Sequence, residues 1–277
     1  MPKKNKNIEY IKKEEDKALN SYGIGQLIAV MKNKDGKAIK KYYQTPFNND
    51  IDIKTFDSED TPNYNYTFQQ LPIGPEGFRS INLILGRSGS GKSHYASNLV
   101  KEYINIFKNN SVYLFSNVDS DEVFDKIPKI GRVSINEENF IHNPINMEEL
   151  ENSLCIFDDI DTIKDKTLRE ELFDLLDRIL QEGRHLNISV IITMHMLTNG
   201  RYSKVMLTEA HSITYFPHHV SPRSIKYLVE NYIGLTSYQI NYIKRLKSRW
   251  ATIIRNNPMI CLTENKIVNI EKIERIK

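Results

Sequence analysis

The chain is poor in the features that mark membrane, secreted or metal-scaffold proteins. It has two cysteines, one tryptophan and no unbroken apolar run of 18 residues in a length of 277. No membrane-spanning helix is therefore expected. The basic start Met1-Pro-Lys-Lys-Asn-Lys6 leads into no apolar segment, so no secretory signal is expected. Cys155 and Cys261 each sit in an apolar run, Leu154-Cys-Ile-Phe157 and Met259-Ile-Cys-Leu262. That context predicts buried, reduced thiols and a reducing, intracellular setting. No histidine lies close to either cysteine in sequence, which excludes a four-ligand zinc site of the usual kind. Internal repeats and long low-complexity tracts are absent.

What is present is an ordinary globular balance, 40% hydrophobic and 26% charged. The net charge of +3 hides a pattern. Residues 1–44 hold 11 lysines and 5 acids, and residues 221–277 hold 11 basic residues and 4 acids, so the stretch between them carries −10. Basic ends can contact phosphate backbones, and a solvated basic face accounts for the same charge.

The chain divides into an N-terminal extension (1–75), an α/β core (76–220) and a C-terminal helical and β-hairpin appendage (221–277). Residues 21–44 read as a short helix or a hairpin, and 45–66 as turn-rich. From residue 78 apolar strands alternate with helices. Strands are expected at 80–85, 111–116, 153–157, 187–193 and 212–216, and helices at 91–107 and 166–181. Leu168, Leu172, Leu175, Leu176, Ile179 and Leu180 fall at helical spacing in the second of these helices. The alternation predicts a mostly parallel sheet flanked by helices. Two more helices (222–232 and 236–246) and strand-like runs at 250–254, 259–262 and 266–270 are expected in the appendage.

Gly86-Arg-Ser-Gly-Ser-Gly-Lys-Ser93 matches G-x-x-x-x-G-K-[ST] in full, between an expected strand and an expected helix. Glycines let the backbone close into a ring of N–H donors, and the helix N-terminus adds a favourable dipole. ATP is therefore expected against Gly86, Arg87, Ser88, Gly89, Ser90, Gly91, Lys92, Ser93 and His94. Lys92 is expected to bridge the β- and γ-phosphates, and Ser93 to ligate Mg²⁺. A coincidental glycine-rich turn is the competing reading.

Leu154-Cys-Ile-Phe-Asp158-Asp159 is an apolar strand ending in two acids. A strand end of this kind delivers carboxylates to the crevice where ligands of open α/β sheets bind. Asp158 is expected to hold Mg²⁺, and Asp159 to orient and polarise the attacking water. Side by side they repel without a cation. A helix N-cap pair is the bland alternative, and Asp161 reads as a cap for the segment that follows. A strand (111–116) intervenes in sequence between the phosphate strand and the acidic strand, which suggests an ATPase with a carboxylate base. The [NT]-K-x-D signature of G-proteins is absent; a small-molecule kinase is a further alternative, though no obvious arginine-rich lid is visible. His195 or Thr193, ending the next strand, is expected near the γ-phosphate, with a structural loop histidine as the alternative. Arg223, Arg184 and Arg201 are candidates for an arginine supplied in trans.

Three segments together resemble the genome-packaging ATPases of large DNA viruses, their virophages and related transposons, in the FtsK–HerA superfamily. They are Gly86–Ser93, Ile156-Phe-Asp-Asp159, and Gly183-Arg-His185 with Ile188-Ser-Val-Ile-Ile-Thr-Met-His195. The resemblance covers about residues 78–230. Many FtsK-like pumps carry Asp-Glu at the second motif and Gln at the sensor position, where this chain has Asp158-Asp159 and His195. The resemblance implies a RecA/FtsK-like P-loop fold and a homo-oligomeric ring, pentameric or hexameric. It also implies a motor pumping double-stranded DNA into a capsid through a capsid or capsid-vertex protein. Its expected place is the host-cell cytoplasm (the viral factory) and the virion. Lys244-Arg-Leu-Lys-Ser-Arg-Trp250 interleaves an aromatic with cations and is compatible with phosphate contact. A helicase or conjugation-type DNA-transfer ATPase and a non-motor ATP-binding adaptor are the competing functions.

Overall fold

The computed structural model describes residues 26–44, 66–74, 79–195, 201–219, 227–255 and 258–273. They fall into two compact units: Phe78–Ile213, and a second formed by the described residues on either side of it in sequence.

The second unit begins with β1 (Gln26–Lys32) and β2 (Ala38–Gln44), an antiparallel hairpin. Its turn is set by Asn33, whose carboxamide oxygen accepts from the Asp35 and Lys37 N–H groups, the Asx geometry that favours reversal. β3 (Thr67–Gln70) pairs antiparallel with the other edge of β1.

The Phe78–Ile213 unit is an α/β sandwich. β4 (Ile81–Leu85) leads through the glycine-rich loop into α1 (Lys92–Ile106). β5 (Ser111–Ser116), β6 (Ile130–Ser134) and β7 (Ser153–Asp158) follow, then α2 (Lys166–Glu182), β8 (Ser189–Met194), α3 (Arg201–Glu209) and β9 (Ser212–Tyr215). The order within the sheet is β9-β4-β8-β7-β5-β6. β4, β8, β7, β5 and β6 are mutually parallel where they pair. Every residue of β4, β7 and β8 is buried, as continuous apolar runs require when helices cover both faces of a sheet. Phe115 and Phe157 stack at 4.7 Å inside this core.

α2 is closed at both ends. Asp165 accepts the Leu168 N–H at its start. At its end Arg79 donates to the carbonyls of Ile179, Leu180 and Ile188. Gly183 is needed there for space, because a Cβ would lie 2.5 Å from the Ile179 carbonyl oxygen.

The chain then returns to the second unit. α4 (Ser237–Arg245) starts with a capping box between Thr236 and Gln239. β10 (Ala251–Ile254), β11 (Ile260–Thr263) and β12 (Ile267–Asn269) form an antiparallel meander. Ile254, Ile260, Leu262 and Ile267 share a core with Ile28, Met31, Tyr42 and Phe68 from the N-terminal hairpin and β3. Both cysteines are free and buried. Among the described residues, no helix is long and apolar enough to cross a membrane.

Candidate nucleotide-hydrolysis site

Parallel register puts three strand ends side by side. Leu85 on β4 lies opposite Met194 on β8, and Phe157 on β7 opposite Ile192. The last residue of β7, Asp158, and the residues that follow the three strands, Gly86, Asp159 and His195, therefore lie at one edge of the sheet, where ligands of open α/β sheets bind. β8 lies between the phosphate strand and the acidic strand. The strand that separates them in sequence, β5, lies on the far side of β7.

The loop after β4 turns through Gly89 and Gly91, at φ +73° and +102°. These are left-handed conformations that side-chain-bearing residues rarely adopt. A Cβ at Gly89 would meet nothing within 4 Å, so backbone conformation rather than crowding selects glycine there. Gly91 is also the N-cap of α1, and no side chain caps that helix start. Its N–H groups are thus left for an anion. Ser90 Oγ is buried without a hydrogen-bond partner among the described residues.

Lys92 is only 4% exposed, and its ammonium lies 3.3 Å from Asp159 Oδ1 and 3.5 Å from the Arg87 carbonyl oxygen. Asp159 itself sits at φ +47°, a region aspartate tolerates better than most residues. Its N–H donates to Thr193 Oγ1 at 2.9 Å. The Thr193 hydroxyl in turn donates to Asp158 Oδ1 at 2.7 Å. Thr193 is fully buried. The same hydroxyl lies 3.2 Å from Asp159 Oδ1, so Thr193 ties β8 to the acidic end of β7.

Burial is the main reason the Asp158 carboxyl is pushed up to about 6; nearby Asp159 and Asp121 add to the rise, while Thr193 and Lys92 oppose it. A buried carboxylate disfavoured in this way is stabilised by a cation placed beside it. The site therefore fits Mg²⁺ with a polyphosphate: a left-handed glycine loop, an orphaned Ser90 hydroxyl, a buried ammonium and a buried acid. Ser93, half-buried, and Asp158 are the residues that would hold the ion.

Asp161 corrects its sequence reading. It does not cap α2, which Asp165 does. Its side chain, 5% exposed, turns back to His195, accepting the backbone N–H at 3.0 Å and lying 3.5 Å from Nδ1. His195 Nε2 is 3.5 Å from Asp159 Oδ2.

Residues 67–271 match the family model described as Poxvirus A32 protein. The chain belongs to that family. It is 36% identical over 197 residues to "Uncharacterized protein V3" of the Sputnik virophage, spanning 70% of this chain and 79% of that one. It is also similar to the solved structure of the genome packaging NTPase B204 from Sulfolobus turreted icosahedral virus 2 in complex with ATP-gammaS. That match has 15% identity, 68% of this chain, 98% of that chain and a TM-score of 0.46. The cytoplasmic domain of the Thermomonospora curvata type VII secretion ATPase EccC is similar at 13% identity, over 77% of this chain and 28% of that one, with a TM-score of 0.48.

His94 is exposed on the first turn of α1. Arg184 is exposed between α2 and β8, at the opposite end of β8 from His195, away from the phosphate loop of the same chain. Arg201 begins α3. Arg223 lies outside the described residues. Sequence reasoning missed the Asp161–His195 pairing and the connecting role of Thr193. The available signal was the strand order, since parallel neighbours ending in Asp158 and Thr193 must align.

Proposed function

We propose that this protein is the ATP-hydrolysing motor that drives double-stranded DNA into a viral capsid. The observation that carries the reading is the meeting of Lys92 with Asp159 at 3.3 Å at the common edge of β4, β8 and β7, in a chain of the Poxvirus A32 family. The backbone N–H groups of Gly86–Ser93 bind the phosphates of ATP, and Lys92 gives up Asp159 to bind them too. Asp159 then has an oxygen free to accept a proton from water as that water attacks the γ-phosphorus, yielding ADP and phosphate. Ser93 and Asp158 would hold Mg²⁺, which would supply charge neutralisation at the phosphates.

The wider reading is a homo-oligomeric ring, pentameric or hexameric, docked at a capsid vertex in the host-cell cytoplasm and retained in the virion. Because Arg184 lies at the far end of the sheet from its own phosphate loop, it is suited to serve a neighbour. Arg223 and Arg201 remain its rivals. Mixing each Arg→Ala protein with a Lys92→Ala protein tests this: a trans arginine gives activity back on mixing. The DNA surface is narrower than the sequence suggests. Lys244, Arg245 and Lys247 are all exposed, whereas Arg249 is paired with Glu264 at 2.7 Å and Trp250 packs on the core of its unit. Phosphate contact therefore rests on the first three cations, and duplex binding should weaken with salt.

The test is ATP turnover with and without DNA, on wild type and Lys92→Ala. Stimulation by duplex, lost in Lys92→Ala, is the expected result. Stimulation by single strands alone would favour unwinding, and no stimulation would favour a non-motor adaptor.

A further inference from the structure

Charge divides between the two units. Phe78–Ile213 holds 15 basic and 20 acidic side chains, a net −5, so the rest of a +3 chain carries +8. Half of that excess lies in the β1–β2 hairpin, where residues 26–44 hold Lys32, Lys34, Lys37, Lys40 and Lys41 against Asp35 alone. The turn is fastened without the use of a lysine side chain. Asn33 Oδ1 accepts the Asp35 and Lys37 N–H groups at 3.1 and 2.9 Å. The Asn33 N–H donates to the Lys37 carbonyl, and the Gly36 N–H to the Asn33 carbonyl, each at 3.0 Å. Gly36 takes φ +76°, a conformation open to glycine. The single acid is drawn into the same turn, since Asn33 Nδ2 donates to Asp35 Oδ2 at 3.3 Å. Lys34, Lys37 and Lys40 are exposed. Lys40 lies over the Tyr42 ring at 5.3 Å, and among the described residues none of the three forms an ion pair with an acid.

Cations carried on a prefastened turn suit an external polyanion, because little order remains to be imposed when it binds. The tip Asn33–Lys37 has no apolar side chain, which an element seated in a bilayer needs. Lysine meets a phosphate as a point charge. Asn33, the tip side chain able to read a base edge, is committed to the turn. Lys37 and Lys40 are three residues apart along β2, roughly 10 Å in an extended strand. A duplex carries one negative charge per about 1.7 Å of its axis, so each lysine meets a phosphate of its own. We infer that the β1–β2 hairpin is a duplex-DNA contact, with Lys34, Lys37 and Lys40 binding backbone phosphates whatever the base sequence. The surface is distant in sequence from Lys244, Arg245 and Lys247 and adds to them within the same unit. The inference deepens the motor reading, on which it rests for the identity of the polyanion.

The test is binding of the full chain to two short duplexes of unrelated sequence, read by fluorescence anisotropy across a salt series. Wild type is compared with a triple variant, Lys34→Gln, Lys37→Gln and Lys40→Gln, and with its charge-keeping counterpart, Lys→Arg at the same positions. Each phosphate contact contributes about 0.9 to the slope of log affinity against log salt, so the glutamine variant should lose about 2.7 of that slope. Its affinity deficit should accordingly shrink about 40-fold between about 50 and 200 mM salt. The deficit should be the same on both duplexes, and the arginine variant should keep the wild-type slope. A glutamine variant with the wild-type slope, or a deficit confined to one duplex, overturns the inference and leaves the motor reading standing. An equal loss in the arginine variant also overturns it, because charge is then not what the hairpin supplies. Two further assays probe other anionic partners: binding to phosphatidylserine vesicles, and self-association by sedimentation without DNA. A loss in either, with the duplex slope unchanged, assigns the hairpin to a membrane or to a second copy and overturns the inference. Wild-type protein that binds no duplex, or binds it with no salt dependence, counts instead against DNA as the cargo of the motor.

Discussion

Replacing Thr193 by valine removes one hydroxyl while keeping the side chain's shape. In the wild-type protein that hydroxyl donates to Asp158 at 2.7 Å and accepts from the Asp159 N–H at 2.9 Å. Thr193 is fully buried and Asp158 is 5% exposed, so water does not replace the lost donor. A hydrogen bond to a charged group contributes about 1.5–3 kcal/mol net, and leaving the partner unsatisfied adds to the cost. The Asp159 N–H keeps a second acceptor, the Thr193 carbonyl at 3.2 Å, so most of the loss belongs to Asp158. About 2 kcal/mol is therefore expected, a roughly thirtyfold rise in opening of this region. Burial raises the Asp158 carboxyl to about 6, so the hydroxyl matters most when that group is ionised. The deficit should be full well above pH 6, where the carboxyl is ionised with or without the hydroxyl, and shrink as pH falls toward 6. Hydrogen–deuterium exchange of peptides covering β7 and β8 reads the local opening directly. Repeating it in an Asp158→Asn background isolates the pair. If Thr193→Val accelerates exchange equally in the wild-type and Asp158→Asn backgrounds, the hydroxyl does not act through the carboxylate and the reasoning fails.

Three further outcomes are expected. Lys92→Ala should weaken ATP binding and nearly abolish turnover, read by calorimetry and phosphate release, because it removes the buried cation beside the glycine loop. Phe157→Ala should destabilise the Phe78–Ile213 unit by about 3–5 kcal/mol, measured by denaturant unfolding, because a fully buried ring stacked on Phe115 leaves a cavity. The thiols of Cys155 and Cys261 are each pushed by burial from about 9 up to about 12. Both should resist thiol reagents at about pH 8 until denaturant is added. Their contribution to stability is full below about pH 9 and is lost as pH rises toward 12, at about 1.4 kcal/mol per pH unit for each thiol.

The parts of the fold that were legible in the sequence are those decided locally. β4, β7 and β8 are apolar without interruption because both faces are covered, and the glycine pattern of the phosphate loop is set by its own backbone. The hairpin of β1 and β2 was not separable from a helix, since its lysines and apolar residues satisfy either period. β6 was missed because Ile130-Gly-Arg-Val-Ser134 is an edge strand with no buried residue, so no apolar run marks it. β3, four residues long, left as little trace. The site was legible only to the extent that each strand end carries its own polar residues. That Asp161 serves His195, 34 positions away, follows from β7 lying next to β8, which no local pattern encodes. Trp250 misled for a related reason: among cations it read as a surface aromatic, but it precedes β10 and packs on the core that β10 joins. Arg249, read with it, is occupied by Glu264.

The most direct measurement is single-turnover hydrolysis of pre-bound Mg·ATP by Asp159→Asn protein. Asparagine tolerates the left-handed backbone found at this position and keeps the side chain's size, so fold and nucleotide affinity should change little. Phosphate formation is expected to fall by at least about 10²-fold, as for loss of a group that accepts a proton in the transition state. Cleavage at the wild-type rate would show that Asp159 does not address the attacking water and would contradict the account.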